Sequence, residues 1–386
     1  MYYPILFGQC EGYRVSSRSS SSPVMSSSSP EILILPRYTD LGPSSRLRMS
    51  QFVPSLNAHG YRTMNSPFFS DDYLRRFFAD GTKDKREIIR SQVRRWKVIS
   101  QSDADVLWIE KDVWPLMPAS IEKRVWNADR PYVLDLDDAV FHTYDQSGSA
   151  LVRALLGKKF VPLMANSASV VVGNEYLADY TRKAGAENIE IIPTVVEPSN
   201  YPVEEAPDDG RIKIGWIGTP KNARYLDQVV AAVNRLANEW PLTLVTIGAK
   251  PIAGLDIPQV NHAWSEEHEG RLLGRIDVGV MPLPDDPYER GKCGYKLIQY
   301  MAAGKPVIAS PVGVNKQIVS ERVGLLADSE QAWIDAIVYL ARDRELRREM
   351  GLAARERVET DYSVAAVAPR ITRVFDGILG RTAKTT

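Results

Sequence analysis

Residues 291–313 read GKCGYKLIQYMAAGKPVIASPVG. A glycine turn, Gly291 to Gly294, opens a short helix, and Lys296 falls in its first turn. A lysine is misplaced at a helix N-terminus, where the backbone dipole is already positive, unless an anion is bound there. A diphosphate is such an anion, and Gly294 with Lys296 is expected to meet it. Gln299 follows three residues later on nearly the same face, within reach of a group beside the diphosphate such as a ribose. A solvated surface pair is the alternative, and it fits poorly with the small, apolar neighbourhood.

Three further stretches carry chemistry. Residues 135–138 read Asp-Leu-Asp-Asp at the end of an apolar run. Carboxylates this close are costly unless they meet a cation, a sugar's hydroxyls or one another's protons. Capping of a helix start by Asp137 or Asp138 is the plainer reading, and His142 nearby reads as structural. In GWIGTPK, Gly215 and Gly218 bracket a strand end and Thr219 and Lys221 follow. The loop resembles a phosphate cradle but lacks both common glycine-rich patterns. Gly42-Pro43-Ser44-Ser45-Arg46 turns into a helix whose free amides, with Arg46, suit an anion; ordinary turn chemistry uses the same residues. Asp285, Asp286 and Glu289 lie in a loop just before the glycine turn.

The elements that position these residues alternate. Strands are expected at 31–36, 105–109, 132–136, 168–172 and 189–192, with helices between them, one bearing Leu47, Phe52 and Leu56. Residues 193–210, rich in proline and without apolar periodicity, read as a linker. Strands then resume at 212–217, 242–247, 259–263, 277–281 and 306–309, with helices at 223–238 and 265–275. Alternation of this kind implies parallel sheets covered on both faces. The expected fold is α/β: two tandem Rossmann-like, doubly wound domains with an inter-domain cleft. Their bounds are 31–198 and 199–362, and 363–386 forms a C-terminal helix that packs on either domain. Ligands in such sheets collect at the carboxyl ends of the strands, so the cleft is the expected site.

With 48 basic and 48 acidic residues among 386, the chain has no charge bias toward nucleic acid. Two distant cysteines, Cys10 and Cys293, exclude a disulfide framework and a cysteine zinc site, and fit a reducing, cytoplasmic setting. No apolar run reaches the roughly 18 residues of a membrane span. Ten of the residues from Ser16 to Ser29 are serine, so residues 1–30 are expected to be a disordered head, with Met25 as a candidate start. Residues 83–97 carry seven Lys/Arg against two acids, with Ile88, Ile89, Val93 and Trp96 along one helical stripe. Such a stripe is either core packing or a peripheral contact with an anionic membrane.

The run Lys-Leu-Ile-Gln-Tyr-Met-Ala-Ala-Gly-Lys-Pro-Val-Ile-Ala resembles the nucleotide-sugar site of retaining group 1 glycosyltransferases, which have the GT-B fold. The likeness covers about residues 31–380 in layout and is sharpest at Gly42–Arg46, Gly215–Lys221 and Gly294–Pro311. The resemblance implies transfer of a sugar from a nucleoside diphosphate to an acceptor hydroxyl with retention, in polysaccharide or glycolipid synthesis. Lys296 would pair with the donor diphosphate, and Gly42 would let a first-domain loop approach it. Gln299 would stand where the family usually has a ribose-binding glutamate. Asp137 and Asp138 would lie near the transferred sugar. Two departures stand out. The family's first glutamate position holds Gly291, so Asp285, Asp286 or Glu289 must substitute, and its Arg and Lys pair is reduced to Thr219 and Lys221. The expected catalytic set is Asp137, Asp138 and Glu289, and the donor-binding set is Gly42, Arg46, Gly218, Thr219, Lys221, Gly294, Lys296 and Gln299. No metal and no cofactor beyond the donor are expected; the partners are that donor and a saccharide or lipid-linked acceptor. Rival readings are a nucleotide-sugar epimerase of this fold, a non-catalytic binding protein, and a metal-dependent transferase of the other major fold using Asp135 and Asp137.

Overall fold

The computed structural model describes residues 29–81, 84–126 and 130–381. The expected disordered head lies outside them but for its last two residues. Two six-stranded, wholly parallel sheets follow one another in the chain. The first comprises β1 (Glu31–Leu35), β2 (Arg62–Asn65), β3 (Val106–Glu110), β4 (Tyr132–Leu136), β5 (Ser169–Val172) and β6 (Ile189–Ile191), in the order β2-β1-β3-β4-β5-β6. The second comprises β7 (Ile212–Ile217), β8 (Leu242–Ile247), β9 (Gln259–His262), β10 (Val278–Met281), β11 (Val307–Ala309) and β12 (Gly324–Leu326), in the order β12-β11-β10-β7-β8-β9.

The strands form because their apolar side chains alternate between two covered faces. Leu33, Leu107, Leu134 and Val170 enter one first-domain core, while Ile32, Val106, Val133 and Val171 enter the other. In the second domain, Val245, Met281 and Val307 face one way and Leu244, Val280 and Ile308 the other. The two Rossmann-like domains expected from the sequence are therefore present. Strand order reverses between β1 and β3 in one sheet and between β7 and β10 in the other, which opens a crevice at their carboxyl ends.

Two strands and two helix breaks escaped the sequence reading. β2 is polar and mostly exposed, and it is a strand only because it pairs with β1. β12 pairs with β11. The helix expected around Leu47, Phe52 and Leu56 is two short helices, Pro43–Arg48 and Val53–Ala58, joined by a 3₁₀ turn. Another 3₁₀ turn, Pro220–Leu226, precedes the Asp227–Leu236 helix.

The chain ends by crossing back. The helix Val364–Ile378 buries Val367, Ala368, Ile371 and Phe375 against the first sheet, with the Phe375 ring 5.4 Å from Trp108. A single bridge, Val196 to Ser363, ties the linker to the start of this helix.

Candidate active site at the inter-domain cleft

The glycine turn is one place where the domains touch. The Asn174 side chain donates to the carbonyls of Gly291 and Lys292 at 3.0 and 3.1 Å. The Cys293 thiol donates to the Asp137 carbonyl at 2.8 Å. Gly291 packs so closely that a Cβ there would lie 2.5 Å from the Ala139 Cβ. Gly294 then adopts φ 67°, the left-handed region, and opens the Tyr295–Ala302 helix. Glycine is required there twice over, because an added Cβ would also meet the Ile318 side chain at 2.2 Å.

Beside this turn lies a cavity of about 850 Å³. Asp138 comes from the first domain, Thr219 and Lys221 from the end of β7 and the 3₁₀ turn that follows it, and Glu289 from the one-turn helix Pro287–Arg290 after β10. Tyr225, Tyr288 and Lys292 line it too, as do Arg224, Asp227 and Asp286, whereas Asp285 is paired with Arg290 at 2.7 Å. Lys292 is 3.8 Å from Asp138, with its ammonium 4.9 Å from the Tyr288 ring centre. Glu289 is buried and accepts from the Tyr225 hydroxyl. Burial pushes the Asp138 carboxyl up, as does its neighbour Asp137, while Lys292 opposes both.

Lys296 sits behind the cavity wall. Its Cε would be 3.0 Å from a Cβ at Gly218, and its ammonium is 5.9 Å from the Trp216 ring centre. It makes no ion pair among the described residues. Burial, and then repulsion from Lys292, bring its pKa down to about 8, against the pull of Asp138. A cation in that position is poised for an anion that the protein itself does not supply.

Several expected residues stand elsewhere. Gln299 is buried, and its amide nitrogen donates to the Tyr201 hydroxyl at 3.2 Å and to Glu269 at 3.1 Å. Glu269 also accepts from Tyr201 and from the Trp264 indole. The amide's N–H groups are thus committed inside the second domain. Arg46 is committed to the Asp40 carbonyl at 2.9 Å and, across the domains, to Glu266 at 3.0 Å. Gly42 is small for a local reason, since a Cβ would lie 2.4 Å from that of Tyr38. It caps a helix of six residues, too short to make much of a dipole.

The three carboxylates of residues 135–138 divide sharply. Asp135 is buried against Arg48 at 2.8 Å, and burial lifts its carboxyl to about 6 although Arg48 opposes this. Asp137 faces Lys111 at 3.2 Å. Burial raises the Asp137 carboxyl, but Lys111, Ser44 and Arg48 together outweigh it and hold it below the usual range. Only Asp138 reaches the cavity wall, so Asp137 acts at most from behind it. The Asp135-Leu136-Asp137 metal reading fails on this pairing, because each carboxylate already has its own cation. Among the described residues no cluster of three or more His, Cys, Asp or Glu could hold an ion.

Lys292, Lys111 and Tyr225 were not anticipated. Lys111 follows β3 with φ 65° and also contacts Glu110 at 3.3 Å. The run Glu110-Lys111-Asp112 after an apolar strand was the available signal, since charges at a parallel strand end seldom go unpartnered.

Residues 211–343 match the family model of group 1 glycosyl transferases. Trehalose synthase from Pyrococcus horikoshii is 30% identical over 88 residues, which are 22% of this chain and 21% of that relative. The match thus spans about a fifth of its length. Sucrose-phosphate synthase from Thermosynechococcus elongatus has a similar structure, with TM-score 0.67 at 15% identity over 92% of this chain and 100% of that one. HepE from Anabaena, solved with UDP and glucose, gives TM-score 0.64 at 13% identity over 90% and 100%. The fold is that of the GT-B glycosyltransferases.

Proposed function

We propose that this chain, whose residues 211–343 form a group 1 glycosyltransferase domain, moves a sugar from a nucleoside diphosphate to an acceptor hydroxyl with retention of anomeric configuration. The observation that carries the reading is the cationic corner of the cleft. Lys296 has no carboxylate partner among the described residues, Lys292 and Lys221 border the adjoining cavity, and the Tyr295–Ala302 helix begins beside them.

Departure of a nucleoside diphosphate builds negative charge on its β-phosphate while the sugar becomes oxocarbenium-like. Lys292 and Lys296 are already fixed and partly desolvated, so they stabilise that charge without reorganising. The cationic side chains take the part that a metal would otherwise play. Asp138 and Glu289 sit across the same cavity. Their carboxyls are placed to bind sugar hydroxyls and to offset positive charge at the anomeric carbon. Polysaccharide or glycolipid synthesis, with a saccharide or lipid-linked acceptor, is the setting this reading fits.

Gly291 favours a second reading, a sugar-nucleotide-binding protein without transfer. The position where the family usually carries a glutamate is sealed by Ala139. Ligand-detected NMR with UDP, GDP, ADP and their common sugars, with and without EDTA, separates the two when followed by a transfer assay. Metal-independent binding lost in Lys296→Met, plus turnover to a product with the donor's anomeric configuration, supports transfer. Binding without turnover or donor hydrolysis supports the second reading. Binding that requires a metal ion overturns the charge assignment.

A further inference from the structure

The Lys85–Gln101 helix of the first domain is built inside out. It starts on the Asp84 side chain, which accepts from the amides of Arg86 and Glu87. Its sheet-facing side carries Ser91 and Arg95, both buried, with Ile88, Val98 and Ile99 packed at the core. Arg95 is held there by donations to the carbonyls of Leu35, Pro36 and Ser66, and its guanidinium is 5.4 Å from the Phe68 ring centre. The opposite side presents Ile89, Val93 and Trp96, which are 64%, 50% and 47% exposed. At about 100° per residue these three fall within roughly 60° of one another. An ordinary surface helix has the reverse arrangement.

The ridge has a charged border. Lys85, Arg86, Arg90 and Lys97 are exposed and form no ion pair among the described residues, whereas Arg94 is 3.8 Å from Glu87. The ridge also has a neighbour. Gln92 donates to the Pro115 carbonyl, and the next residue, Leu116, is 57% exposed at φ 68°. A leucine held on the surface in the left-handed region extends the apolar face rather than serving the core.

The border decides what covers the face. A second copy apposed through this ridge would bring two rows of unpaired cations together, which like-charge repulsion opposes. An anionic bilayer offers phosphates at the height of the cations and acyl chains at the height of the ridge. We propose that this face docks the first domain on an anionic lipid surface. Ile89, Val93 and Trp96 enter the headgroup boundary, and Lys85, Arg86, Arg90 and Lys97 meet lipid phosphates. The contact is peripheral, since no described helix is long and apolar enough to cross a membrane. It is independent of the reaction proposed above, because none of these seven residues lines the cleft cavity.

The test is co-sedimentation of the full chain with phosphatidylcholine vesicles, with and without phosphatidylglycerol, in the absence of any sugar nucleotide. Binding is expected on the anionic vesicles alone, weakening at least about tenfold as salt rises from ~0.1 to ~0.5 M. Ile89→Ser/Trp96→Ser and Arg86→Gln/Arg90→Gln should each lower the partition at least about tenfold with unchanged thermal melting. Brominated lipid should quench less fluorescence in Trp96→Phe than in the parent. Equal binding to both vesicle types, indifference to both double variants, or a dimer dissolved by Ile89→Ser/Trp96→Ser overturns the proposal.

Discussion

The amide nitrogen of Gln299 lies 3.1 Å from the carboxylate of Glu269, and both side chains are buried. Neutral Gln299 donates where a glutamate would confront Glu269 with a second buried carboxylate. Gln299→Glu is expected to destabilise the fold by about 1–3 kcal/mol at neutral pH. The paired carboxyls would take a raised folded pKa, so native protein would hold more protons than unfolded chain. Stability should therefore recover as pH falls toward about 5, and Glu269→Gln in the same chain should restore it at neutral pH. Thermal melts of the four proteins form the cycle; additive losses would show the two sites to be uncoupled.

Gly291 lets the second domain close on the first. Alanine there would force its Cβ to within 2.5 Å of Ala139, and φ is an ordinary −78°, so packing alone is perturbed. Gly291→Ala should cost about 1–3 kcal/mol and release the Cys293 and Asn174 contacts. Small-angle scattering should show a larger radius of gyration. An unchanged radius and melting point would mean the domains are not apposed here in solution.

Lys296 predicts a pH dependence. With its pKa near 8, the ammonium is lost as pH rises through that value, and a diphosphate loses its cation. Affinity for the preferred nucleoside diphosphate should fall above pH 8, approaching tenfold per unit until the bound-state pKa is reached. Lys296→Met should bind weakly with a flat profile and lower kcat/KM by about 10²-fold or more. Stability runs the other way. The unfolded lysine titrates near pH 10.4, so native protein loses this proton first and stability rises between about 8 and 10.4. Titration calorimetry and melts across this range check both signs.

Arg48 and Asp135 form a buried pair beneath the cleft. Arg48→Ala strands the carboxylate and should cost about 3–5 kcal/mol. Denaturant unfolding measures it. A loss below about 1 kcal/mol would mean that Asp135 is already neutral in the native state, as its raised pKa allows only at acid pH.

Much of the fold was legible along the chain. Runs such as ILIL in β1 and VLWI in β3 are apolar on both faces, which is a local property of a strand in a covered parallel sheet. The prolines of 193–210 likewise announce a linker locally. β2 was invisible because Arg62, Thr63, Met64 and Asn65 owe their strand to pairing with residues 31–34, and nothing in their own pattern requires it.

The site divides in the same way. The glycine turn, the helix it opens and the lysine in that helix's first turn were legible within one short stretch, because helix dipole and left-handed backbone are local physics. Which side chains remain free for a ligand was not. Gln299 is claimed by Tyr201 and Glu269, Arg46 by Glu266, and Asp137 by Lys111. Those partners are distant in sequence, and a polar group leaving water takes whichever partner the packed structure brings within reach. Only the tertiary structure could therefore separate Asp138 from Asp137, and a lysine held open from a glutamine already spent.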